Sequence, residues 1–472
     1  MLISDLLRAI DVTYKGKDEE ISFITDDSRK CTEKTLFICH PKGEKWISQA
    51  KENGAVAVVC YDDICPDCIV VSDTRKAYAL LCSAFFSDCH KSLRLIGVTG
   101  TNGKTTVASM LYSILCLSGK KCGMLTTVTN EYNNEVHDGE LTTPDCFSMH
   151  RMFSEMAEQG TEYCVLEASS QGLSQQRLYG LEFDTAIYTN LSEDHLDYHG
   201  TMENYRDAKK ELFMHCKKAV INYDDEQKDE FISVCKGKIL TYSVKDDNAD
   251  YTAKCLRFSE ASADYAIVAQ SLIHRIKVNM SGEFNAANSM AAIIAAVECG
   301  CTLESCAAAL RCFSGVKGRM ELLNTNTPYK VIIDYAHTPD SMKKVLLSMR
   351  NFPKNRVITV FGCGGDRDKS KRSMMGKIAS ELADISVITS DNPRHEEPMS
   401  IIDDILLGVN NRKNKVFIKE NRTKAIEYAL KIAQKNDIIL LLGKGHEAYT
   451  VVGDEKIPYD EREVVCRFIS DR

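Results

Sequence analysis

Two hydrophobic periods alternate along this chain. Residues 93–99 form a short, nearly unbroken apolar run, and beyond it Val107, Met110, Leu111, Ile114 and Leu115 recur at helical spacing. That spacing places them on one face of an α-helix, for which Gly119 is a natural C-terminal stop. Further strand candidates lie at 163–167 and 183–190. The stretch from about 236 to 281 reads as strands, and 285–298 as a helix rich in small residues. From Gly318 onward, apolar runs at 331–335, 357–362, 385–389, 416–418 and 438–442 alternate with amphipathic helical patterns. Strands alternating with helices predict parallel sheets with right-handed crossovers. Before residue 90, apolar runs at 35–39, 55–60 and 68–71 flank a helix candidate at 45–54. The expected architecture is α/β in three units, 1–90, 91–317 and 318–472, the central one built on a parallel sheet and the last Rossmann-like.

Length agrees, since 472 residues exceed one ordinary core. With 9 prolines, 26 glycines and no low-complexity tract, no long disordered linker is expected. The net charge of -8 speaks against bulk nucleic-acid binding but leaves room for locally basic sites. The first twenty residues lack the basic and apolar regions of a signal peptide, and no window approaches a membrane span. The expectation is therefore a cytoplasmic protein without nucleic-acid or membrane partners; a monomer acting on small molecules is the working expectation, the substrates following from the resemblance that the motifs carry.

The 20 cysteines scatter, many within apolar segments, such as Cys82, Cys116, Cys164 and Cys312. A buried cysteine in a reducing compartment behaves as a small hydrophobe. One local cluster stands out, Cys60, Cys65 and Cys68. A metal there would need a fourth ligand, which the neighbouring sequence does not supply.

Chemistry first appears at Gly100-Thr101-Asn102-Gly103-Lys104-Thr105-Thr106, between a strand candidate and a helix candidate. Small residues there let backbone N–H groups approach phosphates, and the helix N-terminus adds partial positive charge. Lys104 would reach the β- and γ-phosphates and Thr105 or Thr106 would hold Mg²⁺. The generic phosphate-loop pattern is not fully met, because position 98 is valine. Glu167 ends a strand candidate, a suitable place for a metal-binding carboxylate beside such a loop. His195 follows in Thr189-Asn-Leu-Ser-Glu-Asp194-His195-Leu-Asp-Tyr-His199.

These segments in this order resemble the ATPase domain of Mur ligases. Later ones agree: Phe284-Asn285-Ala-Ala-Asn288, Gly318-Arg319-Met-Glu321, Asp334-Tyr-Ala-His337, then Asp391-Asn392-Pro393-Arg394 and Gly443-Lys-Gly-His-Glu447. The resemblance implies ATP and Mg²⁺ as cofactors and an acyl-phosphate route to an amide bond. It assigns Lys104, Lys209 and His195 to catalysis. The loop from Gly100 to Thr106, with Asn288, Arg319 and Asp334, falls to ATP, and Thr105, Glu167, His195 and Lys209 (as a carbamate) to the metal. Ser28, Thr142, Thr143, Ser169, Gln175 and Arg177 fall to a UDP-linked muramyl dipeptide.

For the incoming amino acid, the Asp391–Arg394 motif resembles the one with which the family recognises meso-diaminopimelate. Arg394 and Arg367 would clamp its distal carboxylate, and Gly443 and Glu447 would address its distal ammonium. Lysine lacks that carboxylate and would leave a guanidinium unpaired, a loss of about 1.5–3 kcal/mol. Two segments depart from the family. Gln171 stands where it usually has histidine, and the loop Phe37 to Trp46 is shorter and lacks its Asp-Gly. That loop keeps open a Mur-like ligase with another acceptor. A nucleotide-binding regulator without turnover is the alternative from outside the enzymes.

Overall fold

The computed structural model describes all residues except 15, 66–67, 270–271, 351, 353–355, 411–414 and 472. Its N-terminal sheet runs Phe23–Thr25, Thr35–Ile38, Ala55–Cys60, Ile69–Val70, all parallel. Helices Ile3–Leu7 and Thr74–Phe85 cover one face through Leu6, Leu7, Leu81 and Cys82. The helix expected at 45–54 begins as a 3₁₀ turn, Glu44–Trp46, and becomes α-helical only over Ile47–Glu52.

An 11-stranded sheet forms the central unit. At its middle, β1 (Arg94–Thr99) lies between β2 (Tyr163–Glu167) and β3 (Phe183–Tyr188), parallel to both. Helix α1 (Lys104–Leu117) follows β1 and buries Val107, Met110, Leu111, Ile114 and Leu115 completely, as their spacing predicts. It packs on α3 (Glu283–Glu298), whose alanines permit close approach; α2 (Met202–Met214) lies against β1 and β3. The sheet is not wholly parallel. Tyr251–Phe258, Ala263–Ala269 and Leu272–Val278 pair antiparallel, as do Cys122–Leu125, Thr129–Tyr132 and Glu135–Asp138. The reason is connection length: a few residues can close a hairpin but cannot carry the crossover that parallel neighbours need.

A 6-stranded sheet forms the C-terminal unit. Strands β4 (Lys330–Asp334), β5 (Val357–Phe361), β6 (Ile385–Ile388) and β7 (Ile438–Leu442) are parallel, in the order β4-β7-β5-β6, with Lys415–Ile418 outermost. The added edge strand Glu321–Leu323 is antiparallel to β4. One hydrophobic cluster runs from Val107 and Met290 of the central unit to Leu346 and Leu440 of this one. Among the cysteines, Cys82 and Cys164 are buried, but Cys116 and Cys312 are exposed, because each ends on the outer face of its helix.

Candidate functional site

Three neighbouring strands deliver the central group. At the end of β1, the loop from Gly100 turns into α1, with Gly103 as N-cap. Gly100 has φ +146°, and a Cβ there would come within 1.9 Å of Thr189 Oγ1; at Gly103, φ is +90° and a Cβ would lie 2.5 Å from Asn288 Oδ1. Both positions need glycine, which explains their spacing. The residues after β3 grip the loop from outside. Thr101 N donates to Asn190 O at 2.8 Å, Asn102 N to Asn190 Oδ1 at 3.0 Å, and Thr189 Oγ1 to Asn102 O at 2.6 Å. Thr189 and Asn190 are thus structural parts of the site, a role hidden in the sequence because it depends on β3 lying beside β1.

Lys104 donates from Nζ to the carbonyls of Gly100 and Thr101, 2.9 Å each. Burial lowers its pKa, partly opposed by Glu167. Lys209, on α2, is buried behind the same loop. Its Nζ donates to Gly100 O at 2.8 Å and sits 4.5 Å from the centre of the Tyr205 ring. Burial, aided by the charge of Lys104, pushes its pKa well below the ordinary lysine value. A neutral amine is the form that can add to CO₂, so the environment suits a carbamate.

Glu167 ends β2, buried, and its carboxylate accepts from Thr127 N at 2.9 Å. Across the cavity His195, in left-handed conformation at φ +54°, places Nε2 3.5 Å from Asp194 Oδ2. Burial lowers the His195 pKa. Burial would raise that of Asp194, but His337, His195 and Lys371 together hold it below the usual carboxylate value. The oxygen donors Glu167 and Thr105, beside a lysine ready to become anionic, suit a hard divalent cation such as Mg²⁺.

The C-terminal unit closes this cavity. Arg319 donates to Thr105 Oγ1 at 3.3 Å, lies 4.4 Å over the Tyr335 ring, and keeps a buried Nε without a partner. Asp334, at the end of β4, accepts from the amides of Met320 and Ala336 at 2.7 and 2.8 Å. Burial raises its pKa, Arg319 opposing. Asn102 Nδ2 reaches Asp340 Oδ2 at 3.2 Å. His337, whose pKa burial and Lys371 lower to about 4, is held by Tyr335 O and points Nε2 toward Asp194 at 4.0 Å.

The residues expected to meet the dipeptide fall into two places. Thr143, Ser169, Gln175 and Arg177 form one network: Thr143 Oγ1 lies 2.9 Å from Ser169 Oγ, and Arg177 donates to Thr143 O at 2.6 Å and Gln175 Oε1 at 2.6 Å. Thr142 lies beside them at the cavity, within 3.0 Å of Thr127 Oγ1. Ser28 is separate, in the N-terminal domain, its hydroxyl donating to Gln49 Oε1 at 2.7 Å.

At the carboxyl ends of β5, β6 and β7 the remaining residues gather, the crevice where open α/β sheets bind ligands. Gly443 has φ +110°, and a Cβ there would lie 2.6 Å from Asp391 Oδ2. Asn392 donates to Glu447 Oε2 at 2.8 Å and accepts from Lys444 Nζ at 3.0 Å and Val451 N at 2.9 Å. Pro393 is buried, and its carbonyl crowds Gly365. Arg394, partly exposed, donates to Gly365 O at 2.8 Å. It stands near Arg367, both bordering Gly364. Burial, with Asp391 nearby, raises the Glu447 pKa. Lys444 is fully buried and also donates to Tyr449 O at 2.7 Å. Its place within the Gly443–Glu447 motif was visible in the sequence, but its role as a brace was not. Tyr335 joins the two sites: its ring lines the central cavity, and its hydroxyl reaches Glu447 Oε1 at 3.4 Å.

The loop cavity and the charged crevice thus share Tyr335 as a common wall. Residues 98–296 match the Mur ligase middle domain and 318–445 the "Mur ligase, glutamate ligase domain". The chain belongs to the Mur ligase family. It is 41% identical over 462 residues to the UDP-N-acetylmuramoyl-L-alanyl-D-glutamate--2,6-diaminopimelate ligase 1 of Clostridium acetobutylicum, covering 96% of this chain and 95% of that one. The protein of that name from Caldanaerobacter subterraneus subsp. tengcongensis is 41% identical over 481 residues, covering 100% and 99%. A solved structure of a UDP-N-acetylmuramoyl-L-alanyl-D-glutamate--2,6-diaminopimelate ligase superposes with a TM-score of 0.72 at 32% identity, covering 100% and 99%. Among the described residues, no helix is long and apolar enough to cross a membrane.

Proposed function

We propose that this enzyme joins meso-diaminopimelate to UDP-N-acetylmuramoyl-L-Ala-D-Glu with hydrolysis of ATP to ADP and phosphate. The observation that carries the reading is the Asp391–Arg394 turn, held by Lys444 and Glu447 and connected through Tyr335 to the phosphate-loop cavity. Relatives at 41% identity that carry this activity in their names support it over nearly the whole chain.

A dipeptide carboxylate oxygen attacks the γ-phosphorus of ATP, ADP leaves, and an acyl phosphate forms. The amine of the diamino acid then attacks the acyl carbon, and the tetrahedral intermediate expels phosphate as the nitrogen loses a proton. Lys104 exchanges its two loop carbonyls for phosphate oxygens, and the free Nε of Arg319 faces the same need. Thr105, Glu167, His195 and carbamylated Lys209 would hold Mg²⁺, which supplies positive charge against the crowded phosphate oxygens. Asn288 and Asp334 address the nucleoside. Thr142, Thr143, Ser169, Gln175 and Arg177 hold the acceptor peptide, with Ser28 on the uridine side. Arg367 and Arg394 receive the distal carboxylate of the diamino acid; Glu447, Gly443 and Asp391 receive its ammonium end.

Mass spectrometry after incubation with ATP, Mg²⁺, the UDP-linked dipeptide and diaminopimelate tests this reading. The UDP-linked tripeptide is the expected product. Its absence, with ATP still bound, would move the acceptor to another class.

A further inference from the structure

Four thiols of the N-terminal domain converge outside the sites described above. Cys39 follows the strand Thr35–Ile38, and Cys60 ends Ala55–Cys60. The parallel register pairs Ile38 with Val59, and Cys39 N donates to Val59 O at 2.8 Å. One step on, Cys39 and Cys60 therefore stand side by side on one face of the sheet, buried in a cluster with Phe37 and Val58. Cys65 and Cys68 come from the segment that follows, with Cys68 N donating to Cys65 O at 3.3 Å. The Sγ atoms of Cys60, Cys65 and Cys68 all lie within 4.8 Å of one another. The Cys39 thiol interacts with Cys60 and is close enough to feel charge on Cys65 and Cys68. None of the four is in a disulfide.

We propose that Cys39, Cys60, Cys65 and Cys68 bind one zinc ion in a closed tetrathiolate site. Two residues separate Cys65 from Cys68 and four separate Cys60 from Cys65, within the range that structural zinc sites use. A Zn–S bond of about 2.3 Å sets neighbouring sulfurs about 3.8 Å apart, which the spread of Cys60, Cys65 and Cys68 approaches, while the Cys39 thiol, now 3.7 Å from His40 O, would turn toward them. Four protein ligands leave no position for water, so the role is structural. Cys39 is the fourth ligand that the local spacing could not supply; it lies 21 residues before Cys60 and is brought in by strand pairing. Lys51, whose charge acts on Cys65, offsets part of the site's negative charge. Zinc binds the thiolate forms, so binding displaces the thiol protons and weakens as pH falls. The ion would tie the turn after Cys39 to Cys65 and Cys68. That turn opens the Phe37–Trp46 loop, which a metal staple would hold in place.

Metal analysis of the full chain, purified in reductant without a polyhistidine tag or chelator, tests the proposal. One zinc per chain is expected, and exchange for Co²⁺ should give the intense visible and near-ultraviolet bands of a tetrahedral tetrathiolate. Cys68→Ser should lose the metal, while Cys89→Ser, which alters a thiol elsewhere, should keep it. A wild-type chain that takes up no zinc after reconstitution, or binds Co²⁺ without those bands, would overturn the site. So would a disulfide among the four cysteines in the protein as isolated. Each readout is made without substrates, so its failure leaves the ligase reading untouched.

Discussion

Lys209 Nζ donates to the carbonyl oxygen of Gly100 at 2.8 Å, which ties helix α2 to the first residue of the phosphate loop. Burial lowers its pKa and makes the neutral amine accessible. Lys209→Ala should lower amide formation by at least about 10²-fold while ATP binding, followed by calorimetry, persists. Added bicarbonate should not restore the variant, whereas wild type stripped of CO₂ should recover with it. Unchanged turnover in the variant would remove Lys209 from the mechanism.

Glu167 keeps its bond from Thr127 N if only one carboxylate oxygen is replaced. Glu167→Gln should therefore fold normally, checked by thermal denaturation. Its Mg²⁺ requirement should rise by at least about tenfold, equivalent to about 1.4 kcal/mol. A Mg²⁺ titration of the ATP-dependent rate that overlays wild type would take Glu167 out of the metal site.

Much of this was legible in the sequence where one element carries the signal. The glycines at 100 and 103, the apolar face of α1 and the Asp391–Arg394 motif are local patterns. What the sequence did not show depends on neighbours far apart in the chain. Asn190 grips Asn102 because β3 pairs with β1, Lys444 braces Asn392 because β7 lies next to β5, which in turn pairs with β6, and Cys39 meets Cys60 through strand register. The hairpin edges of the central sheet were not legible either: the strand candidates at 236–281 do not state direction, and the strands within 122–138, 4 residues each, are too short to show a period.

Arg394 donates to Gly365 O and borders Arg367, so its removal opens the crevice without touching the phosphate loop. Arg394→Ala should cost about 1.5–3 kcal/mol of transition-state binding for diaminopimelate, roughly 10- to 150-fold in kcat/KM. The KM for ATP should stay near wild type. Equal loss for both substrates would point to a folding defect or a wrong assignment.

His150 is buried in the central domain with Nε2 unpartnered, edge-on to His90 and Phe153. Burial, with His90 adding to it, lowers its pKa to about 3. Unfolded, it would titrate near about 6.5. Below that pH the unfolded chain binds the extra proton, so stability should fall from about pH 6.5 toward pH 3, and no further contribution from this residue is expected above that window. His150→Phe should flatten the pH dependence of the denaturation midpoint across it. An unchanged slope would show that His150 does not drive the loss.

Phosphate release at fixed ATP, Mg²⁺ and UDP-N-acetylmuramoyl-L-Ala-D-Glu, compared with meso-diaminopimelate and with L-lysine, tests the central claim most directly. Rapid release with diaminopimelate and a rate lower by about 10²-fold or more with lysine is the expected result, because lysine leaves the Arg367–Arg394 pair without a carboxylate. Equal rates with the two amino acids, or release with lysine alone, would contradict it.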